Sequence, residues 1–251
     1  MVQRYRRPPI LEATFECRFK ANDAWDLSAP AELYKSLREE YPDAPTTVAS
    51  GSLEVVEDAK GSVVAAPALR LGQTSLKYQF SAEGGQRLVR VGNEVLTVHA
   101  TAPYPGWPTF REQITYALRA YVRVAKPDVL TRFGMRFVNR IDLEGPTVEL
   151  SDYLTIPVDP PRGLGFDLSS FLLRMEAVRP DGIKLIQTFA SAPVDGVSVI
   201  LDLDVISDGL ELPVTDDESW LSDKIEYLRE IEREAFEVSI TDKLRERFNE
   251  H

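Results

Sequence analysis

Residues 11–20, LEATFECRFK, decide the fold class, because apolar and polar side chains alternate over the whole stretch. The apolar members are Leu11, Ala13, Phe15, Cys17 and Phe19. A period of two residues is typical of a strand with one buried and one solvated face. Such strands occur mainly in antiparallel sheets, so this stretch predicts a sheet with one apolar and one polar face.

Helical and strand-like periods follow one another along the rest of the chain. Two helices are predicted after the N-caps Ser28 and Thr109, the second with Glu112 completing a capping box, and a third amphipathic helix spans 220–235. Glycine-containing turns such as Asp181-Gly182 separate the strand-like runs. These runs cover residues 53–56, 69–80, 87–91, 95–99, 129–142, 171–178, 183–191 and 197–206.

The order of these elements is similar in the two halves of the chain. Each half begins with a strand, continues through further strands and ends in a helix, although no sequence identity between the halves is visible. We therefore predict an α+β protein with antiparallel sheets and helices on one face, arranged as two similar lobes, 1–127 and 128–251. No linker rich in Gly, Ser or Pro separates the lobes, so we expect them to pack as one body.

The composition indicates in which cellular compartment the protein resides and whether disulfide bonds stabilise it. Of the 251 residues, 43% are hydrophobic and 27% are charged, as in an ordinary globular protein. The single cysteine, Cys17, excludes an internal disulfide framework, and there is neither an apolar leader nor a long uncharged run. These features predict a cytoplasmic protein that has no membrane-spanning segment.

The net charge of −11 is concentrated at the C-terminal end. Residues 202–251 contain 16 Asp/Glu and 6 Lys/Arg, a balance of −10, whereas residues 1–201 have a balance of −1. This end favours a basic protein partner and disfavours nucleic acid, while the alternative interpretation is a solvated helix face.

Three short motifs carry a resemblance to a known family. They are Pro8-Pro9-Ile10 with Glu12, Ala13, Phe15, Arg18 and Phe19; Pro105-Gly106-Trp107 with Phe110; and Gly134, Arg136, Phe137, Asn139, Arg140 and Ile141. Together they resemble a sporadically distributed family of uncharacterised prokaryotic proteins of about the same length. The resemblance implies no established activity. The patchy distribution of that family is typical of genes that move with toxin–antitoxin or phage-defence loci.

Signatures of catalysis are scarce. With two histidines, His99 and His251, and one cysteine, the chain offers no zinc-ligand spacing and at most one histidine to activate a nucleophile. Gly163-Leu164-Gly165 lacks the third glycine of a dinucleotide-binding loop and is expected to form a turn. His99 is expected to be structural, with a role as general base as the alternative. The inventory favours a non-enzymatic protein, and we predict no cofactor.

Two aspartates provide the best indication of an enzyme. Asp202 and Asp204 share one face of the strand predicted at 197–206, and Asp208 follows it. Such a pair can hold Mg²⁺ if another carboxylate or a phosphate completes the site. The alternatives are a metal-dependent phosphate-handling enzyme and a polar outer strand face without a metal.

A row of arginines is the most distinctive charged feature. Arg132, Arg136 and Arg140 are four residues apart on one strand, so they project from one face at intervals of about 13 Å. Arg18 extends this surface if the first strand pairs nearby, and a basic N-terminal arm adds Arg4, Arg6 and Arg7. The row can bind phosphates, including those of nucleic acid, or a partner's carboxylates. The alternative interpretation is that these arginines pair within the protein, with Glu12, Glu16 or Glu176.

Tyr104 and Trp107 lie among three prolines and a glycine. They either present aromatic surface to a ligand or form a rigid corner whose Trp fills the core. Taken together, the sequence predicts a non-enzymatic macromolecule-binding or regulatory protein, antitoxin-like or accessory to a mobile defence locus. We expect a protein partner that docks on the acidic C-terminal helices.

Overall fold

A computed structural model describes residues 5–50, 53–56, 68–71, 75–145, 148–156, 158, 168–192, 194, 196–215 and 220–249. The helices are α1 (Ala29–Leu37), α2 (Trp107–Ala125), α3 (Ser222–Ser239) and α4 (Asp242–Arg247). The strands are β1 (Ile10–Phe19), β2 (Thr46–Ser50), β3 (Leu53–Val56), β4 (Ala68–Leu71), β5 (Ser75–Ala82), β6 (Arg87–Gly92), β7 (Val95–Thr101), β8 (Val129–Leu143), β9 (Leu172–Val178), β10 (Lys184–Ser191), β11 (Val197–Ser207) and β12 (Leu212–Pro213). Arg4, the 163–165 turn and His251 lie outside the described residues.

Ten of the described strands form one antiparallel sheet. Nine of them lie side by side in the order β2-β5-β6-β7-β1-β8-β11-β10-β9, and β12 pairs with the start of β8. Strands β3 and β4 form a separate hairpin. The predicted α+β class with antiparallel sheets is therefore confirmed.

The two halves of the chain share this sheet. Strands β1 and β8, which begin the halves, pair with each other at its centre, with Thr14 opposite Arg136. On one side the order continues through β7, β6 and β5, and on the other through β11, β10 and β9. The strand order is thus the same outward from the centre in both directions, within one sheet that crosses both predicted lobes. The boundary between residues 127 and 128 stays a prediction.

One face of the sheet packs against the helices. Phe15 on β1 and Phe137 on β8 are fully buried in a cluster that includes Leu33 of α1, Ile114 of α2 and Leu228 of α3. A second buried cluster extends this layer beneath the C-terminal half. Its members include Phe189, Leu201, Leu203, Phe236 and Leu244. The alternation in 11–20 therefore separates an apolar helix-covered face from the opposite face, which we call the open face.

Helix α2 begins earlier than its predicted capping box. Its N-cap is Gly106, whose φ of 91° is accessible chiefly to glycine, and Pro108 occupies the first turn. Thr109 is therefore inside the helix, and the prediction that it caps the helix was wrong. The helix ends at Lys126, where the backbone is left-handed, immediately before Pro127. No helix in the described part of the chain is long and apolar enough to cross a membrane.

Candidate functional site

The open face of the sheet brings the predicted arginines and aspartates onto one surface. One row crosses four neighbouring strands, with His99 on β7, Thr14 on β1, Arg136 on β8 and Asp204 on β11. Because neighbouring strands are about 4.8 Å apart, this row spans roughly 14 Å. Residues that are distant in sequence are thus close enough to interact electrostatically.

Each arginine of the predicted row has an acidic partner on this face. The pairs are Arg132 with Glu16, Arg136 with Asp202 and Arg140 with Asp142, and Glu16 also accepts a hydrogen bond from Arg18. Arg136 is held most completely, because its Nε and Nη2 donate to the two oxygens of Asp202 at 2.8 and 2.6 Å. Internal pairing, the alternative left open by the sequence, is therefore what the structure shows for these side chains.

The carboxylates expected as internal partners divide into two groups. Glu16 takes the expected role beside Arg132. Glu12 binds His99 instead, and Glu176 binds Arg174. In the basic N-terminal arm, Arg7 lies against the end of helix α4, since its backbone N–H donates to the carbonyl of Phe248.

Asp204 differs from the other carboxylates on the open face. Its carboxyl has no hydrogen bond or ion pair within the described residues, and burial raises its pKa to about 6, although Arg132 and Arg136 oppose this shift. A side chain at the neighbouring Gly134 would approach the carbonyl of Val205 to 3.3 Å. The absence of a side chain at Gly134 therefore allows β8 and β11 to pack closely beside Asp204. With a pKa of about 6, the Asp204 carboxyl can exchange a proton near neutral pH.

The predicted magnesium site consists of Asp202 and Asp204. Asp202 is occupied by Arg136, and the nearest charged neighbours of Asp204 include two arginines. Among the described residues, no three His, Cys, Asp or Glu side chains lie together in a way that could hold a metal ion. The metal site stays a prediction.

His99 is buried in a complete set of polar contacts. Its Nδ1 lies 2.7 Å from Glu12 Oε1 and 3.1 Å from Thr14 Oγ1, and its Nε2 lies 3.0 Å from Thr97 Oγ1. The hydrogen bond with His99 is the main reason that the pKa of Glu12 lies below its usual range. These contacts match those of a structural histidine. Glu12 could not be predicted as the partner of His99, because the sequences of β1 and β7 do not specify the register in which these strands pair.

Tyr104 and Trp107 pack beneath helix α3. The Tyr104 ring meets Phe137 edge-on at 5.8 Å, and Trp107 Nε1 donates to Glu226 at 3.1 Å. Both aromatic residues pack against the main core cluster. Both side chains are thus partly buried against the core, as the corner alternative expects, and a role in binding a ligand stays a prediction.

A buried ion pair joins this corner and was not predicted. The Arg229 guanidinium lies 4.4 Å from the Phe137 ring centroid and 5.6 Å from that of Trp107, and it pairs with Glu232. Burial lowers the pKa of Arg229. Glu232 falls among the apolar positions of α3 at helical spacing from Leu228, which is the sequence signal that could have revealed it.

The outer side of α3 carries a second charged surface. Asp223, Tyr227, Glu230, Glu234 and Val238 are exposed at intervals of three or four residues, and we call this set the acidic stripe. Its three carboxylates have no hydrogen bond or ion pair within the described residues. Tyr227 is 40% exposed and Val238 is 64% exposed. Tyr227 is engaged by the turn between β9 and β10, since its hydroxyl donates to Asp181 and the Arg179 guanidinium lies 5.7 Å from its ring centroid. The open apolar surface on this charged helix face is therefore mainly that of Val238.

Comparisons of the chain with protein-family models, with curated proteins and with solved structures found no match.

Proposed function

We propose that this protein is a non-enzymatic macromolecule-binding protein that docks a basic surface of a protein partner on the acidic stripe. One observation carries the proposal: the carboxylates of the stripe are exposed and unpaired within the described residues, whereas the arginine row is paired internally. A surface whose charges are already neutralised has less to offer a charged partner than a surface whose charges are open.

The geometry of the stripe suits a protein surface. From Asp223 to Val238 the helix rises roughly 22 Å, about the width of a small protein–protein contact. Glu230 and Glu234 lie between the exposed side chains of Tyr227 and Val238. An apolar contact flanked by charges is typical of interfaces, because the apolar part stabilises the complex and the charges select the partner.

The proposed action is to cover a basic surface of the partner. An acidic helix can mask a basic active site or nucleic-acid groove, which is the action of an antitoxin-like or accessory component of a defence locus. Charge supports the masking, and the family resemblance supports the biological setting.

The test is a pull-down from lysate of the source organism with three forms of the full chain as bait. The first is the unmodified protein, and the second carries Asp223→Asn, Glu230→Gln and Glu234→Gln. The third carries Glu39→Gln, Glu94→Gln and Glu149→Gln, which neutralise three exposed carboxylates elsewhere and so give the same change in net charge.

We expect one stoichiometric protein to bind the first and third baits and to be lost from the second. Cross-linking should then join lysines of the partner to carboxylates of α3, and the complex should weaken as salt is raised. A partner retained equally by all three baits, or nucleic acid as the bound species, would show that the proposed function is wrong.

A further inference from the structure

Strand β9 forms one edge of the main sheet among the described strands. It pairs with β10 without a break from Leu172 to Val178, so it contains no bulge, and neither proline nor glycine interrupts it. Proteins usually shorten, bend or cover an edge strand, because its free backbone groups can pair with another chain. Strand β9 is instead a regular edge of seven residues that is open to a further strand.

The backbone groups that point away from β10 belong to alternate residues of β9. Just before the strand, the Phe171 carbonyl accepts a hydrogen bond from the N–H of Ser191 at 3.0 Å. Just after it, the N–H of Arg179 donates to the Ile183 carbonyl at 2.8 Å, so the odd-numbered residues face β10. The N–H and C=O of one residue in an antiparallel ladder point to the same side. The even-numbered residues therefore face outward, and their backbone groups have no partner within the described residues. They are Leu172, Arg174, Glu176 and Val178.

The side chains of these four residues are exposed on the open face. Leu172 and Val178, at the two ends of the strand, are 74% and 66% exposed. Between them, Arg174 Nη1 donates to Glu176 Oε1 at 2.7 Å, and both side chains remain nearly half exposed. The edge thus presents an apolar, a positive, a negative and an apolar side chain in turn. A second antiparallel copy of this edge presents the same order reversed, so opposite charges face each other.

We propose that a second copy of this chain pairs with β9 about a two-fold axis beside Met175, which joins the two sheets into one continuous sheet. In this register Arg174 of each copy lies opposite Glu176 of the other, and Leu172 lies opposite Val178. Every outward N–H and C=O of the four residues then has a partner on the other strand. The charge pairs and the apolar pairs all meet on the open face, where cross-strand contacts stabilise the pairing.

Charge distinguishes this register from its neighbours. A shift of two residues in one direction would bring Arg174 opposite its own copy, and a shift in the other direction would do the same for Glu176. Like charges directly opposite each other on antiparallel strands are destabilising. A shift of one residue would place outward backbone groups opposite inward ones. The sequence of β9 therefore favours one register with a second copy. This edge is separate from the acidic stripe, so dimer formation does not depend on the proposed function.

The test measures the mass of the purified full chain by analytical ultracentrifugation, from low micromolar to near-millimolar concentration. We expect the mass to rise with concentration from that of one chain to that of two. Arg174→Glu and Glu176→Arg, each made alone, place like charges opposite each other, so each should weaken dimer formation at least about tenfold. The mass of a single chain at every concentration would overturn the proposal.

Mixing the two single variants gives the sharper test. One strand then carries two carboxylates and the other two guanidinium groups, so the mixture should form a dimer about as stable as that of the unmodified protein. Lys20→Glu and Glu211→Arg are the matched controls, because they make the same changes in net charge at an exposed pair away from β9. Both controls should dimerise like the unmodified protein, and circular dichroism checks that every variant is folded. Dimers that persist in the single variants, or no recovery on mixing, would show that the copies do not meet along β9.

Discussion

Two charged pairs lie on opposite sides of strand β8 and differ in exposure. Arg136 points to the open face, where its side chain is 52% exposed and that of its partner Asp202 is 16% exposed. Phe137, the next residue, points to the helices, where the side chains of Arg229 and Glu232 are only 17% and 3% exposed. One step along the strand thus separates a half-solvated ion pair from a buried one.

The difference shows that similar pairs have different roles. On the open face, Arg136 remains partly hydrated, so its pair with Asp202 adds little stability and mainly neutralises the charge of the arginine. Under α3 the guanidinium of Arg229 has lost much of its water, and Phe137 and Glu232 are its replacement contacts. The buried pair therefore links α3 to the sheet, and each partner prevents the other from being an isolated buried charge.

The largest expected effect is the loss of the buried guanidinium. Arg229→Ala leaves the Glu232 carboxylate unpaired in the core and removes the contact with Phe137, so we expect the free energy of unfolding to fall by about 3–5 kcal/mol. Urea unfolding followed by circular dichroism measures this change.

The control replaces both charges by apolar residues of similar size. Arg229→Met combined with Glu232→Leu removes the unpaired charge, so this double variant should be clearly more stable than Arg229→Ala. If both variants are equally destabilised, the damage comes from lost packing around Phe137 and not from the charge of Glu232.

The next largest expected effect on the free energy of unfolding is that of Asp204→Asn, and this effect should depend on pH. Its folded-state pKa of about 6 lies above the ordinary carboxyl value, so the folded protein binds more protons than the unfolded chain from about pH 4 to pH 6. Stability therefore falls as pH rises through this window. Asp204→Asn should be about 2 kcal/mol more stable than the unmodified protein above pH 7, and this gain should disappear near pH 4. A variant that is less stable at both pH values would contradict this account.

The open-face pair should contribute less than either buried charge. A double-mutant cycle with Arg136→Ala and Asp202→Ala should give a coupling energy of about 1 kcal/mol that decreases with salt, because Arg136 is half exposed. Since Nε and Nη2 of Arg136 already donate to Asp202 and neutralise its charge, we also expect Arg136→Ala to leave any nucleic-acid binding unchanged. A coupling energy that does not change with salt would show that the pair behaves as a buried one.

The strands could be predicted well because their signal is local. The alternation in 11–20 became β1 (Ile10–Phe19), and the run at 129–142 became β8 (Val129–Leu143). The short strands β2 and β12 were missed, since few alternating residues mark them. The start of α2 was misplaced because Thr109 and Glu112 have the chemistry of a capping box, while the conformation of Gly106 began the helix earlier.

The charged partners could not be predicted, because they depend on register between distant strands. Glu12 meets His99 only because β1 pairs with β7 in one particular alignment, and a shift of one residue would turn these side chains to the other face. Similarly, Arg136 meets Asp202 through the pairing of β8 with β11. The packing of α1 against α2, which brings Leu33 and Ile114 into one buried cluster, is likewise specified by no local pattern.

The smallest expected effect on stability concerns the acidic stripe, and it sharpens the contrast with the buried pair. Each of the substitutions Asp223→Asn, Glu230→Gln and Glu234→Gln should change the free energy of unfolding by less than about 0.5 kcal/mol, because these side chains are exposed and have no partner within the described residues. Urea unfolding of the triple variant measures this change beside Arg229→Ala. A large loss of stability would mean that the stripe supports the fold, and its carboxylates could then no longer be assigned to docking. An unchanged stability combined with loss of the partner would assign the buried charges of α3 to folding and its exposed charges to recognition.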